Sequence, residues 1–506
     1  MSKRIYAGVL TILITAAIYG ARHLSASKSE EGKPNILFAF TDDQSWIHAG
    51  AYGTSGVKTP AFDRVAREGV LFSHAFTAAP SCTPSRSAVL TGQNIWRVGH
   101  AGLLHGGLPK SLDVFPLMLR DNGYFIGHTG KSWGPGRWNS DGRTEHPVGK
   151  AYDTVSYQPR LEGLSPLNYA ANFELFLKDR PSGTPFFFWY GSSEPHRVYR
   201  KGQGLEAGKK LSDARLFSSM LDNAETRSDV LDYYVEIEHF DRHLGRMIRM
   251  LEEAGELDNT LIIVTSDHGM PFPRGKSTLY DSGTRVPLAV RWPKRIPAKR
   301  WVDDFTSLTD VAPTILEAAG IQVPEAMTSR SLMPILTSEK TGQIEPDRDF
   351  AVIGFERHTW CREEGAGYPA RALRTKKYLY IRNYHPERWP AGNPEPVLET
   401  GWSYGDVDRG PTYHFVLEHQ KEPEVAPFYR WAFGKRPGEE LYDVEKDPDQ
   451  IRNLAADPAH AALKKKLAAR LTEYLKATGD PRMRGEEPWN DDLYYSRGVW
   501  KQQMAK

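Results

Sequence analysis

The chain has 506 residues, of which 40% are hydrophobic and 25% charged, and its formal net charge is +2. That length and composition exclude a disordered tail and a lone small module, and predict one large domain with a smaller one beside it. The near balance of charge excludes the strongly basic field by which nucleic-acid binders recruit their partner, and no internal repeat or low-complexity tract is present.

The N-terminus reads as a targeting segment. Lys3 and Arg4 precede an apolar run from Ile5 to Tyr19, and Ser25, Ala26 and Ser27 follow. A basic start, a short apolar stretch and small residues form the layout of an export signal over residues 1–27. The chain is therefore expected in the periplasm or outside the cell. The run is short for a full bilayer crossing, and retention as a membrane anchor is the alternative. An exported chain with 2 cysteines, Cys82 and Cys361, also invites a disulfide between them.

The folded part is expected from Lys33. Asn35 to Phe40 is an apolar run that ends in Thr41, Asp42 and Asp43. A buried strand followed at once by two carboxylates is how an α/β sheet delivers ligands at its carboxyl edge. Pro60 to Glu68 reads as a helix and Leu71 to Phe76 as a strand. Val114 to Asn122 reads as a helix stopped by Gly123, and Tyr124 to His128 as a strand leading to Lys131. Asn168 to Lys178 is helical, and Pro185 to Tyr190 is an aromatic strand followed by Glu194 and His196. Ser228 to Ala254 predicts a long amphipathic helix with Val230, Tyr234, Ile237, Leu244, Ile248 and Leu251 on its core stripe. Thr260 to Thr265 is a buried strand ending in Asp267 and His268, and Leu308 to Ala319 is a helix. The alternation predicts an α/β catalytic domain over 33–350. Short strand-like pieces then follow (Ala351–Phe355, Ala372–Arg374, Tyr378–Arg382, Glu440–Tyr442), with a last helix from His460 to Ala477. They predict a smaller α+β domain over 351–506.

The stretch Ser81 to Gly92, SCTPSRSAVLTG, stands apart. Ser81 or Thr83 suits an N-cap, Pro84 the first turn and Gly92 the stop, which places Cys82 at the mouth of a helix. That position favours anions through free N–H groups. Arg86, four residues on, can lean back toward it. The carboxylates at the strand ends suit a hard divalent cation with oxygen ligands. Each piece alone has an ordinary reading: an Asp-Asp pair serves as a turn or cap, and a lone His196 as a solvated loop residue.

CTPSRSAVLTG resembles the signature of the type I sulfatases, Cys-x-Pro-Ser-Arg followed by Leu-Thr-Gly, whose cysteine is converted after synthesis to formylglycine. The resemblance extends along the chain and implies an alkaline-phosphatase-like fold, with a large mixed sheet sandwiched by helices and a short antiparallel sheet in the smaller domain. It implies Asp42, Asp43, Asp267 and His268 as ligands of one calcium ion together with converted Cys82. His268 stands where the family more often has Asn. Lys131 in HTGKSWGPG, His196 in EPHR and Lys276 in PRGKSTLY match the family's other site residues, and ELYDVEKDPDQIRNLAADP its closing segment. The implied chemistry is attack by a hydroxyl of the hydrated aldehyde on sulfur, positive charge from the cation, Arg86, Lys131 and Lys276 around the sulfate, and a proton from His196 for the leaving group. A maturation enzyme that makes formylglycine is the implied partner.

Gly269 to Tyr280 and Tyr368 to Tyr384 are similar to segments of the heparan N-sulfatase (sulfamidase) branch, which implies a sulfated poly- or oligosaccharide as substrate. Where that branch has Lys-Lys-His, this chain has Lys131, Ser132 and Trp133. His105 or His128 would have to replace the missing histidine. Trp133, Trp138, His358, Arg371 and Arg374 are the other candidates for sugar or uronate contact, each equally readable as an ordinary core or surface residue. Two alternatives stand beside the sulfatase: a phosphomonoester or phosphodiester hydrolase of the same superfamily, and a non-catalytic carbohydrate-binding relative.

Overall fold

The structure is a computed structural model that describes residues 32–139, 142–396 and 400–490. The expected export signal at 1–27 lies outside the described residues. From Pro34 onward the described residues form one compact unit. Among the described residues no helix is long and apolar enough to cross a membrane.

Nine strands come first: β1 (Asn35–Thr41), β2 (Val70–Phe72), β3 (Ala75–Phe76), β4 (Phe125–Gly130), β5 (Lys150–Ala151), β6 (Phe186–Gly191), β7 (Thr260–Ser266), β8 (Leu288–Arg291) and β9 (Arg300–Val302). All but β3 form an 8-stranded sheet in the order β5-β4-β6-β1-β7-β8-β2-β9. β4, β6, β1 and β7 are parallel, with Phe38 of β1 flanked by Trp189 of β6 and Ile263 of β7, and β8 runs antiparallel to β7. The carboxyl ends of these four parallel strands therefore share one edge, where ligands gather in α/β sheets.

β1 and β7 are buried throughout, because helices cover both faces. Side chains alternate along the strand. Ile36, Phe38 and Phe40 enter one core layer with Val89 and Leu90 of the Cys82–Thr91 helix. Leu37 and Ala39 enter the other, with Phe240, Leu244 and Ile248 of the helix Ala224–Glu253. That long helix starts four residues before the expected Ser228, where the Asn223 side chain accepts from Thr226 N. All six residues of its predicted stripe are buried.

The single strand expected over Leu71–Phe76 breaks at Ser73. β2 pairs with β8 and β9, whereas β3 pairs with β10 (Thr306–Ser307) in a separate 2-stranded sheet. The cause is lateral: the Ser73 hydroxyl donates to Val302 O at 3.0 Å, and Arg285 Nε donates to Ser73 O at 2.9 Å. The expected helix over Leu308–Ala319 opens as a 3-10 turn, Leu308–Asp310, before α-helical Val311–Ala318.

The later strands β11 (Phe350–Phe355), β12 (Ala370–Thr375), β13 (Tyr378–Asn383) and β14 (Glu439–Asp443) form the expected antiparallel sheet. Leu467, Leu471 and Leu475 of the helix Ala461–Ala477 pack on its Val352, Leu373, Tyr380 and Leu441. Between β13 and β14, where no helix was expected, lie two, Pro411–Glu418 and Ala426–Phe433, around their own cluster of Tyr404, Tyr413, Val416 and Phe433.

Candidate active site

β1 delivers Asp42 and Asp43, and β7 delivers Asp267 and His268. The two strand ends are stitched together: Asp267 N donates to Thr41 O at 3.1 Å and Asp43 N to Asp267 Oδ1 at 3.0 Å. Asp43 has φ 74°, a left-handed conformation that Asp tolerates better than most residues. The turn faces its carboxylate to the neighbouring strand end.

The helix Cys82–Thr91 is buried at every position and stops at Gly92 with φ 62°, where a Cβ would meet Met327 Sδ at 2.8 Å. Ser81 occupies the N-cap, but its side chain caps nothing. Its Oγ instead lies 2.8 Å from His358 Nδ1. Cys82 and Cys361 are both free and buried, so the disulfide reading fails. Burial pushes the Cys82 thiol up to about 12 against the pull of Lys131 and Lys276. An unconverted thiol here stays protonated at neutral pH and is a poor nucleophile.

Arg86 is wholly buried. Its Nε donates to Asp267 Oδ2 and one terminal nitrogen to Asp42 Oδ1, each at 3.1 Å, and the other donates to Lys131 O. Its guanidinium also lies 5.0 Å from the Phe40 ring centre. The helix carries it between the two strand ends, so its donors serve the carboxylates and not an incoming anion. The positive charge expected of Arg86 therefore balances and positions these two carboxylates.

Lys131, at the end of β4, pairs with Asp42 Oδ2. Lys276 lies 2.9 Å from Asp43 Oδ2 and 3.0 Å from Asp408 Oδ2. Burial alone would raise the Asp42 carboxyl, but Lys131 and Arg86 outweigh it and hold it well below the usual carboxylate range. Burial alone would lower Lys276, yet Asp408 and Asp43 keep it well above the usual lysine range. His196 Nε2 stands 3.9 Å from Asp43 Oδ2, and its Nδ1 is 2.6 Å from Arg197 O. Glu194 of the same turn accepts from Ser165 N and the Tyr169 hydroxyl and shapes the loop.

The residues fit a divalent cation. One ligand atom each from Asp42, Asp43, Cys82, Asp267 and His268 lie within 4.8 Å of one another. Asp43 Oδ1 and His268 Nε2 are 3.2 Å apart, both buried, and neither has a hydrogen-bond partner among the described residues. His268 Nδ1 is 3.1 Å from Gly269 O, which accepts its proton and leaves the Nε2 lone pair aimed at Asp43. With Nε2 unprotonated, two lone pairs face each other, an arrangement that a bound cation satisfies.

The remaining predictions divide. His105, with φ 62°, is half-buried near Lys131; desolvation first, then Lys131 and Arg357, lower it to about 4. His358 adjoins the site through Ser81. Trp133, 7% exposed, belongs to the core beside β4. His128 stacks on His146 with ring centres 4.3 Å apart, and Trp138 meets the same histidine edge-on. Arg374 forms a paired bridge to Asp281 with both contacts at 2.9 Å. Arg371 is 0% exposed, bonded to Asp480 and Glu356 at 2.7 Å each and set against Trp96 and Trp489. The structure keeps Arg371 and Arg374 in packed ion pairs with no donor turned to a ligand, which corrects their reading as sugar contacts. Asp408 was missed: it sits in a Gly-rich loop whose sequence, YGDVDRG, has no periodicity or motif to single it out. In front of the cluster, a cavity of about 310 Å3 is lined by Asp42, Lys131, Ser193, Glu194, His196 and Arg197.

Residues 34–321 match the family model for sulfatases, and residues 270–390 match that for the N-sulphoglucosamine sulphohydrolase C-terminal region. An ulvan-active sulfatase of Formosa agariphila is 30% identical, over 90% of this chain and 83% of that protein. The human N-sulphoglucosamine sulphohydrolase is 28% identical, over 88% of this chain and 91% of its own. In fold, the chain is similar to the solved structure of BT4656 with its substrate D-glucosamine-2-N,6-O-disulfate, at TM-score 0.66 and 20% identity, covering 90% of this chain and 100% of that one. These matches favour a sulfatase over a phosphorus-ester hydrolase and over a non-catalytic carbohydrate binder. With its cysteine helix, facing carboxylate and imidazole, and lysine pair gathered at one sheet edge, the chain belongs to the sulfatase family, as a type I sulfatase near the sulfamidase branch.

Proposed function

We propose that this sulfatase removes N- or O-linked sulfate from a sulfated oligo- or polysaccharide outside the cytoplasm. The named substrates of its relatives, ulvan and N-sulphoglucosamine, support a carbohydrate. The observation that carries the reading is the buried, unpartnered pair Asp43 Oδ1 and His268 Nε2 beside Cys82. Asp42, Asp43, Asp267 and His268 would hold one calcium ion, which supplies concentrated positive charge for the sulfate oxygens. Converted by a maturation enzyme to formylglycine, residue 82 supplies a hydrated aldehyde as nucleophile in place of an inert thiol.

The chain's own residues do the rest. Arg86 neutralises Asp42 and Asp267 and locks both strand ends, so the carboxylates are preorganised without being exposed. Lys131 lines the cavity, and Lys276 stands on the opposite, Asp43 side; their ammonium groups attract and orient the anion. His196 also lines the cavity. Its Nδ1 is fixed on Arg197 O, which leaves Nε2 as the atom that passes a proton to the departing oxygen or nitrogen. Release of inorganic sulfate from defined N-sulfated and O-sulfated oligosaccharides tests the reading. Release from at least one series is expected, and none from either, with the matured protein, would overturn it.

A further inference from the structure

A second groove, of about 720 Å3, opens from the same His196 and runs along the segment that follows β13. Its volume lies in the roughly 300–1,000 Å3 range of ligand sites. Trp402, Asp408, Arg409 and His414 line it opposite Lys201 and Glu225. Both family matches end at or before residue 390, so neither covers this wall.

The wall is built firmly. Asp406 accepts from Arg362 and Thr359, each at 2.7 Å. Asp408 is paired with Lys276 at 3.0 Å. Thr412 donates to Asp229, which also holds Arg197. Gly410 is pressed so closely on Arg197 that a Cβ would stand 2.2 Å from its NH1 nitrogen. Arg409 thus sits between anchored neighbours. Its exposed guanidinium lies 4.7 Å from the Trp402 ring centre and has no carboxylate partner among the described residues. The other lining cations are already paired, Arg197 with Asp229 and Lys201 with Glu225. A planar cation held on an indole keeps its fork of donors for a carboxylate or sulfate.

We propose that Arg409, held over Trp402, anchors a second sugar subsite that takes the anionic unit next to the sugar losing its sulfate. The inference rests on the sulfatase reading. The ligand is a carboxylate or sulfate on the neighbouring ring, and the subsite would select charged chains over isolated sugars.

Heparan-derived and ulvan-derived tetrasaccharides, intact and carboxyl-reduced, are titrated calorimetrically into Cys82→Ala protein, alone and combined with Arg409→Ala, Trp402→Ala or Lys201→Ala. Arg409→Ala is expected to weaken at least one tetrasaccharide by about tenfold, or about 1.4 kcal/mol, and Trp402→Ala by a similar factor. Lys201→Ala should change affinity less than about threefold, because an exposed, paired cation contributes little. If carboxyl reduction removes the Arg409 effect, the bound anion is a uronate; if the effect survives reduction, it is a second sulfate. Either outcome supports the subsite. Unchanged affinity in Arg409→Ala, equal loss in Lys201→Ala, or no tetrasaccharide binding at all overturns it. Failure of the sulfatase reading shows separately, as absent sulfate release by the matured enzyme.

Discussion

Asp408 Oδ2 lies 3.0 Å from Lys276 Nζ, and Lys276 reaches on to Asp43 Oδ2 at 2.9 Å. A loop that follows the antiparallel strands β12 and β13 thereby sets the position of a cation at the edge of the main sheet. Burial would raise Asp408, but Lys276 and then His196 pull it far below the usual carboxylate range. Asp408→Asn should cut kcat for sulfate release at least about tenfold, which is about 1.4 kcal/mol of barrier. A structural role alone would lower the melting temperature and leave kcat of the folded fraction unchanged. Steady-state kinetics alongside a melting curve separates the two.

Removal of the cation should inactivate the enzyme and lower its melting temperature. A ligand present at 100 times its Kd stabilises the folded state by about 2.7 kcal/mol. The calcium-dependent rise in melting temperature should be lost in Asp43→Asn and in His268→Ala, since these two supply the facing lone pairs. A full calcium response in both variants would remove them from the ligand set.

Mass analysis of the peptide holding residue 82 should show loss of mass relative to cysteine in active protein. Cys82→Ala should abolish sulfate release, with residual rates down by about a thousandfold or more, as for loss of a covalent nucleophile. Cys361→Ser should keep kcat within about threefold, since it enters no step of the chemistry.

Glu236 lies near the 310 Å3 cavity with Gln203 donating to it at 2.8 Å and no cation paired with it among the described residues. Burial pushes its carboxyl up to about 9. The folded chain therefore holds a proton that the unfolded chain releases near pH 4.5, the ordinary glutamate value. Between that pH and about 9, the folded state binds more protons and stability falls as pH rises. Glu236→Gln keeps the acceptor for Gln203 and removes the titration. Its melting temperature should match the wild type near pH 4 and exceed it by a margin that grows toward pH 9, on the order of 2 °C or more. A constant difference across that range would refute the assignment.

Arg371→Ala should destabilise the protein by about 3–5 kcal/mol, because it leaves the Asp480 charge buried without its cation and Glu356 with Arg482 alone. It should raise KM for no substrate in particular. Denaturant unfolding and KM across several sulfated oligosaccharides check both halves.

Much of the fold was legible because its signals are local. β1, β6 and β7 are unbroken apolar runs, and the polar residues that end them mark the carboxyl edge directly. The long helix carried its stripe in the correct 3.6-residue phase. Ser81–Gly92 is contiguous, so one stretch of chain held the cysteine, its helix and Arg86 together. What misled were residues whose chemistry suits two settings. Arg371 and Arg374 read equally as uronate binders or as ordinary core or surface residues, and only the placement of Glu356, Asp480 and Asp281 decides between them. The break at Ser73 came from Val302 and Arg285, both remote in sequence.

The sequence by itself determined the class of chemistry. A convertible cysteine, carboxylates at two strand ends and separate lysines are properties of short segments, and each survives without knowledge of its neighbours. Tertiary structure alone decided how those groups divide the work. It turned Arg86 inward to balance two carboxylates, set His268 against Asp43, joined Lys276 to Asp408 and laid Arg409 on Trp402. Those assignments depend on electrostatic contacts of a few ångströms between distant parts of the chain, and no local pattern encodes such distances.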